Sequence, residues 1–171
     1  GGQVERLDAG GSFTGFVESQ NIIHHYEIAR NLAEIRENHN DTLSPQVSKL
    51  LAHGATISDQ AYQEAIALRK GAISYFSSFF NDFDAIITPS APGAAPLFSA
   101  GSTGNPIFST VWTLCGLPCL SMPVLMSKND MPIGVQLVGG REEDDRLLRM
   151  GSWLLKTLNA VEADAAESDE T

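Results

Sequence analysis

Few side chains in this 171-residue sequence have the type and spacing for chemistry. Cys115 and Cys119 lie four positions apart, with Gly116 and Pro118 between them. Either thiol, to act as a nucleophile, would need a positioned His and a lowered pKa. A disulfide over so short a span would be strained, and two thiols without a nearby His make a poor zinc site. Both therefore read as buried, reduced thiols, which suits a cytoplasmic protein. His24-His25 suggests a base or a ligand, yet neighbouring helical residues point about 100° apart and cannot share one metal. Solvated or packed imidazoles are the simpler reading. His39 and His53 fall near expected helix C-termini, where positive charge is welcome. The run Glu142-Glu143-Asp144-Asp145 could hold a cation but reads as a helix N-terminus. Ser121, between Leu120 and Met122, could face either side of a strand and is taken as structural. No metal and no cofactor is expected from this inventory.

The elements that must position these groups follow from periodicity. Residues 1–15 are Gly-rich and predict a short strand or extended arm followed by a turn. From 16 to about 40, Ile22, Tyr26, Ala29 and Ala33 recur at helical intervals, with Glu27, Arg30, Glu34 and Glu37 outward. Ser44-Pro45 is a helix start, a hydroxyl cap followed by Pro at the first position, and Gly54 is expected to close that helix. Ser58 opens a third helix that reaches about Phe80 and breaks at Asn81-Asp82. Ala85-Ile86-Ile87-Thr88 is short, β-branched and apolar on both faces, which predicts a buried strand of a parallel or mixed sheet. Residues 89–106 contain four prolines and read as a long loop of functional type. Residues 119–125 and 133–138 predict a hairpin around Ser127-Lys128-Asn129-Asp130. A last helix over 142–158 would bury Leu147, Leu148, Met150, Leu154, Leu155 and Leu158. Residues 159–171 read as an acidic, disordered tail.

Composition narrows the class. With 43% apolar and 19% charged residues the chain suits one globular domain with a real core. The net charge is −10, and the five acids after Val161 supply half of it. A mildly acidic body disfavours nucleic acid and anionic membrane as partners, since both call for clustered Lys and Arg. No apolar run is long enough to span a bilayer, and no signal peptide is visible. Gly1-Gly2-Gln3 contains no Met, so the chain is expected to begin inside a longer protein.

Residues 110–124 read Thr-Val-Trp-Thr-Leu-Cys-Gly-Leu-Pro-Cys-Leu-Ser-Met-Pro-Val, and 134–139 read Gly-Val-Gln-Leu-Val-Gly. Gly116 sits where a side chain would be awkward, and Pro118, Pro123 and Pro132 punctuate the runs. This stretch resembles the C-terminal part of the amidase-signature family of serine amidohydrolases. Phe83-Asp84-Ala85-Ile86-Ile87-Thr88-Pro89 resembles that family's strand ending in Thr-Pro. Leu43-Ser44-Pro45, Gly54 and Ile57-Ser58 resemble its helical linker. Gly104-Asn105-Pro106, Phe108 and Trp112-Thr113 resemble a branch that usually has Asp at the place of Asn105. Met131-Pro132-Ile133 and Leu147-Leu148 continue the series, which covers about residues 1–158.

The resemblance implies an α/β fold, with this chain as the C-terminal part of an open, twisted mixed sheet carrying helices on both faces. It implies hydrolysis of carboxylic amides without a metal, by a Ser nucleophile, a second Ser held by a cis peptide and a Lys as ultimate base. Those groups belong to the N-terminal two-thirds of the family. A Ser hydroxyl is a weak nucleophile that needs an adjacent base, and a Gly-rich turn frees backbone N–H groups for the oxyanion. Gly10-Gly11-Ser12-Phe13-Thr14-Gly15 imitates such a loop, but it lacks the paired serines and following glycines, and the first Lys is Lys49. It reads as a structural turn, leaving no catalytic residue in the chain. Trp112, Thr113 and Leu114 are implied to line the acyl or leaving-group side of the pocket, the plainer alternative being a core Trp over the sheet. The Trp spelling points to a general small-molecule amidase rather than the glutaminase subunit of a transamidation complex.

The expected partners are a small-molecule amide for the whole enzyme and the missing N-terminal part, or a second copy. Two other readings stay open: a non-catalytic remnant or split-gene product that binds a partner, and a free-standing thiol hydrolase using Cys115.

Overall fold

The computed structural model of the chain describes the backbone of residues 2–7 and 11–169, and the side chains of that set other than 12 and 162–169. The chain divides into two units, Gly1–Ser74 and Tyr75–Thr171. Helix α4 (Asp59–Asp82) runs from the first into the second.

The first unit is helical. Helix α1 (Ser12–Asn31) is followed by α2 (Ala33–Asn38), with Leu32 between them at φ −107°, ψ 20°. The single helix expected over 16–40 is thus two, broken where Leu32 leaves helical geometry. The expected outward residues Glu27, Arg30, Glu34 and Glu37 are exposed, but Ile23 rather than Ile22 is fully buried alongside Ala29. A 3-10 turn (Asn40–Thr42) leads to α3 (Pro45–Thr56). Ser44 caps α3, its Oγ accepting from the Val47 N–H at 3.4 Å, and Ser58 caps α4 by accepting from the Ala61 N–H at 3.2 Å.

Gly54 corrects the expectation of a helix-closing glycine. It lies inside α3, which continues to Thr56, and it is buried. A Cβ at Gly54 would fall 2.0 Å from the His25 carbonyl oxygen and 2.8 Å from the Ala29 Cβ. The glycine therefore lets α3 cross α1 at backbone contact, beside the fully buried Leu51. The start of α4 is tied to α1 by a polar-aromatic cluster. The Tyr26 and Tyr62 rings stack at 4.0 Å, the Arg30 guanidinium covers Tyr26 at 3.2 Å, and the Tyr26 hydroxyl donates to Asp59 at 2.7 Å.

The second unit is built on a three-stranded sheet ordered β1 (Ile86–Pro89), β3 (Pro132–Val138), β2 (Cys119–Met126). Both pairings are antiparallel, which corrects the mixed or parallel sheet expected from the apolar run at β1. A strand beside only one neighbour is not enclosed, and Ile87 is half exposed rather than buried. The β2–β3 hairpin forms as expected. Ser127 organises its turn, with Oγ accepting from the Met131 N–H at 3.1 Å, and Asp130 takes the left-handed conformation at φ 55°.

Side chains alternate between the two faces. Leu120, Met122, Val124 and Leu137 turn toward α6 (Asp144–Asp169) and pack with Leu147, Met150 and Leu154. Gly151 brings α6 close, since a Cβ there would meet Leu120 Cδ2 at 2.2 Å. The core-facing stripe of α6 is thus 147, 150, 151 and 154, while Leu148 and Leu155, expected inside, lie on the exposed side. The α6 backbone stays helical past Leu158, through the segment expected to be a disordered tail; the side chains from 162 and residues 170–171 lie outside the described set. An ion pair between Asp84 and Arg146 ties the approach to β1 onto α6. Among the described residues no helix is long and apolar enough to cross a membrane.

Candidate functional site

The face of the sheet opposite α6 carries the residues with unspent chemistry. By alternation and register it presents Thr88 and Ser90 from β1 and its end, Gln136 and Gly134 from β3, and Cys119 and Ser121 from β2. Gln136 is 3% exposed, and its Nε2 lies 2.9 Å from Thr88 Oγ1, 3.2 Å from the Pro89 carbonyl and 2.7 Å from the Phe108 carbonyl. Two N–H groups thus serve three acceptors. One buried amide joins the edge strand β1, the central strand and the start of helix α5 (Ile107–Cys115).

Helix α5 is an element that the periodicity does not predict, since resemblance marks its segment only as pocket lining. Its cap residue is Pro106, and just before it Asn105 Oδ1 accepts from the Ile107 N–H at 3.0 Å, an Asx turn that leads the chain into the helix. Its end follows from Gly116 at φ 65°, ψ 39°, with the Gly116 N–H to the Thr113 carbonyl and the Leu117 N–H to the Trp112 carbonyl. A Cβ at Gly116 would meet nothing within 4 Å, so the demand there is backbone conformation, not space.

The three residues expected to line a pocket lie together on α5. Trp112 and Leu114 are 5% and 1% exposed, and the Trp112 ring meets Phe76 edge-on at 5.4 Å. Thr113 is exposed. Since helical residues step by about 100°, Trp112 and Leu114 are buried on different sides of α5, while Thr113 is left exposed.

Two serines come together that the sequence either does not single out or leaves undecided. Ser90 Oγ and Ser121 Oγ are 2.7 Å apart, joining segments 31 positions apart in sequence. Gly134 makes this possible, because a Cβ there would stand 2.8 Å from Ser90 Oγ and 2.9 Å from Ser121 Oγ. The signal available in the sequence is the period-two pairing of Gly134 and Gln136 within an otherwise apolar strand. Neither serine has a basic side chain as hydrogen-bond partner among the described residues. The four lysines, Lys49, Lys70, Lys128 and Lys156, are all exposed.

The other candidates resolve individually. Neither cysteine is in a disulfide, and Cys115 is buried; Cys119 is exposed, contrary to the buried thiol expected, because it begins an edge strand. Desolvation of its sulfur still pushes the Cys119 thiol up to about 11, and it donates to the Leu117 carbonyl at 3.7 Å. That is the opposite of an activated thiol. Ser12 to Gly15 form the first turn of α1, with Gly11 as its cap; Gly10 and the Ser12 side chain lie outside the described residues. The acids of 142–145 do open α6, with Asp144 and Asp145 in its first turn and Asp145 paired to Arg149 at 2.7 Å. Among the described residues no three His, Cys, Asp or Glu side chains are grouped to hold a metal ion.

Comparison with known proteins places this arrangement. The Amidase family model matches residues 13–148. A glutamyl-tRNA(Gln) amidotransferase subunit from Helicobacter hepaticus is 36% identical over 108 residues, which is 59% of this chain and 24% of that protein. A crystal structure of an amidase superposes with a TM-score of 0.78 at 26% identity, over 85% of this chain and 36% of that one. A vestigial protein complex bearing on the evolutionary origins of an s-triazine catabolic enzyme superposes with a TM-score of 0.80 at 20% identity, over 90% and 36%. The chain therefore spans about a quarter to a third of the length of these relatives. Amidases and a transamidation protein, the two classes that the Trp112 spelling was expected to separate, are both among them. With the family match covering most of the sequence, and the hairpin, the Thr88-Pro89 strand and α6 in its fold, this chain belongs to the amidase signature family.

Proposed function

We propose that this chain is the C-terminal segment of a hydrolase of carboxylic amide C–N bonds, supplying pocket wall and scaffold. The nucleophilic Ser, the second Ser and the Lys base come from polypeptide belonging to the N-terminal part of the family's fold. The observation that carries this reading is the family match over 13–148 in a chain spanning about a quarter of its curated relative. The site chemistry supports it. The Ser90–Ser121 pair can exchange neutral hydrogen bonds, but among the described residues it has no basic hydrogen-bond partner to raise either hydroxyl to a working nucleophile. Thr113, the outward residue of α5, is the group of the Trp112–Leu114 stretch that would meet a substrate.

The purified 171-residue chain, incubated with butanamide, benzamide and glutamine, should release no ammonia above the buffer rate. Turnover by the chain alone overturns the reading, and Ser12→Ala, Ser90→Ala and Ser121→Ala then identify which hydroxyl was responsible.

A second reading is a non-catalytic remnant or split-gene product that binds a partner carrying the catalytic part. It is favoured by the likeness to a structure described as a vestigial protein complex. Co-expression with the N-terminal two-thirds of an amidase separates the two. Restored amide hydrolysis supports a working segment, and stable association without turnover supports the remnant.

A further inference from the structure

Three of the four histidines gather at the crossing of α1 and α3. The His25 ring, partly buried, lies 5.3 Å from the His53 ring, edge-on at 80°, and 5.6 Å from the His24 ring. The contact beneath them is tight. Gly54, next to His53, rests against the His25 carbonyl, and Leu51 and Ala29 are buried at 0% and 4% exposure. The charges acting on His25 come from His24 on its own helix and His53 on the facing helix, with no carboxylate among them. Burial first, and then both neighbouring imidazoles, hold its pKa below the ordinary value.

We infer that the α1–α3 crossing is a proton-responsive contact, packed while its three imidazoles are neutral and loosened when they are charged. Of the two close pairs only His25–His53, at 5.3 Å, spans the two helices, and its imidazolium charges disfavour the packed form roughly four-fold even at the dielectric of water. Ionic strength near 0.1 M screens this to about two-fold. The direction is fixed by His25. Its folded pKa lies below the unfolded one, so the unfolded or opened chain binds more protons. Stability is therefore fully present above the unfolded value and is lost as pH falls through it toward the folded one.

Amide hydrogen exchange on the whole chain at pH 7.5 and pH 5.0, corrected for intrinsic rates, tests this. Protection in α3 and the facing part of α1 should fall about two-fold at the lower pH in 0.1 M salt, while the β2–β3 hairpin changes less. His53→Gln, at an exposed position, should remove most of that response. Equal protection at both pH values in the unaltered chain overturns the inference, as does an undiminished response in both His53→Gln and His25→Gln. Imidazole proton titration by NMR gives a second measurement, in which His25 should titrate at a lower pH than it does in a short peptide of residues 21–29.

Discussion

Replacing Gly54 with Ala and Gly71 with Ala makes the same chemical change in two helix interiors and should move stability in opposite directions. In an unhindered helix, Ala is favoured over Gly by about 1 kcal/mol. Gly71 meets that condition, since a Cβ there has nothing within 4 Å. At Gly54 the added carbon would stand 2.0 Å from the His25 carbonyl oxygen, well inside any ordinary van der Waals contact, and that oxygen belongs to backbone. No rotamer change relieves it. The helices must separate, which loosens the packing around Leu51, Ala29 and Ile23. Overpacking of this kind typically costs about 1–3 kcal/mol, and an immovable partner puts Gly54→Ala at the upper end, for a net loss of about 2 kcal/mol after the propensity gain. For a unit of this size that lowers the melting temperature by roughly 10 °C, whereas Gly71→Ala raises it by a few degrees. Far-UV circular dichroism on heating, with urea titration as a check, reads both. If Gly54→Ala is as stable as Gly71→Ala, the backbone contact between α1 and α3 is not what Gly54 provides.

Gln136→Leu should destabilise the second unit by about 1–3 kcal/mol, because the Thr88 hydroxyl and the Pro89 and Phe108 carbonyls lose their donor; exchange at the α5 amides should rise more than at the α6 amides. Asn105→Ala should cost about 1 kcal/mol through loss of the acceptor for the Ile107 N–H, and Asn105→Asp should keep the acceptor and the stability; urea midpoints of the two variants compare them directly. Cys119, its thiol raised from 9.0 to about 11, should carry roughly a hundredfold less thiolate at pH 8 than an unperturbed cysteine. Iodoacetamide should therefore modify it slowly in the folded chain and quickly in urea.

How much of the fold and site is legible in the sequence depends on whether a residue's role is local. Ser44, Ser58 and the Ser127 turn act on backbone groups within a few positions, and the helix starts and hairpin they specify are readable. Gly116 is readable only in part: that it meets a special demand is visible, but the demand is a left-handed backbone rather than space, and it closes a helix that periodicity does not foretell. Gly54 is not. The same residue type near a helix end looks like a cap, and only the approach of α1, 25 or more positions away in sequence, makes it a crossing point. The strand at 86–89 misleads for a similar reason: an apolar run states that a strand forms but not how many neighbours it has, and an edge position leaves Ile87 half exposed. Leu148 and Leu155 lie one helical step from the stripe that Leu147, Gly151 and Leu154 present to β2. Period alone places apolar residues on α6, while the position of Leu120 decides which of them are covered. At the candidate site, resemblance singles out Trp112 to Leu114, but their splitting into two buried side chains and one exposed hydroxyl comes from α5, which periodicity does not foretell. The Ser90–Ser121 contact needs register and a glycine on the strand between them, neither of which a linear reading supplies.

The polar row on the α5 face shows what such a surface can and cannot contribute to amide hydrolysis. Thr88, Ser90, Ser121 and Gln136 are neutral at all ordinary pH, so they can orient a carboxamide or a water by hydrogen bonds without taking up a proton. General base catalysis needs a group whose pKa lies near the working pH and which touches the reacting hydroxyl. Gln136 is committed to three oxygens already, and the two serines face each other. A proton removed from either serine would have no acceptor better than the other hydroxyl, which is no stronger a base. On the proposed reading, the row suits positioning, with proton transfer left to groups outside it. Ser121→Ala, made in an assembled active enzyme, should then alter KM more than kcat, while a loss confined to kcat would show that this hydroxyl takes part in the chemical step.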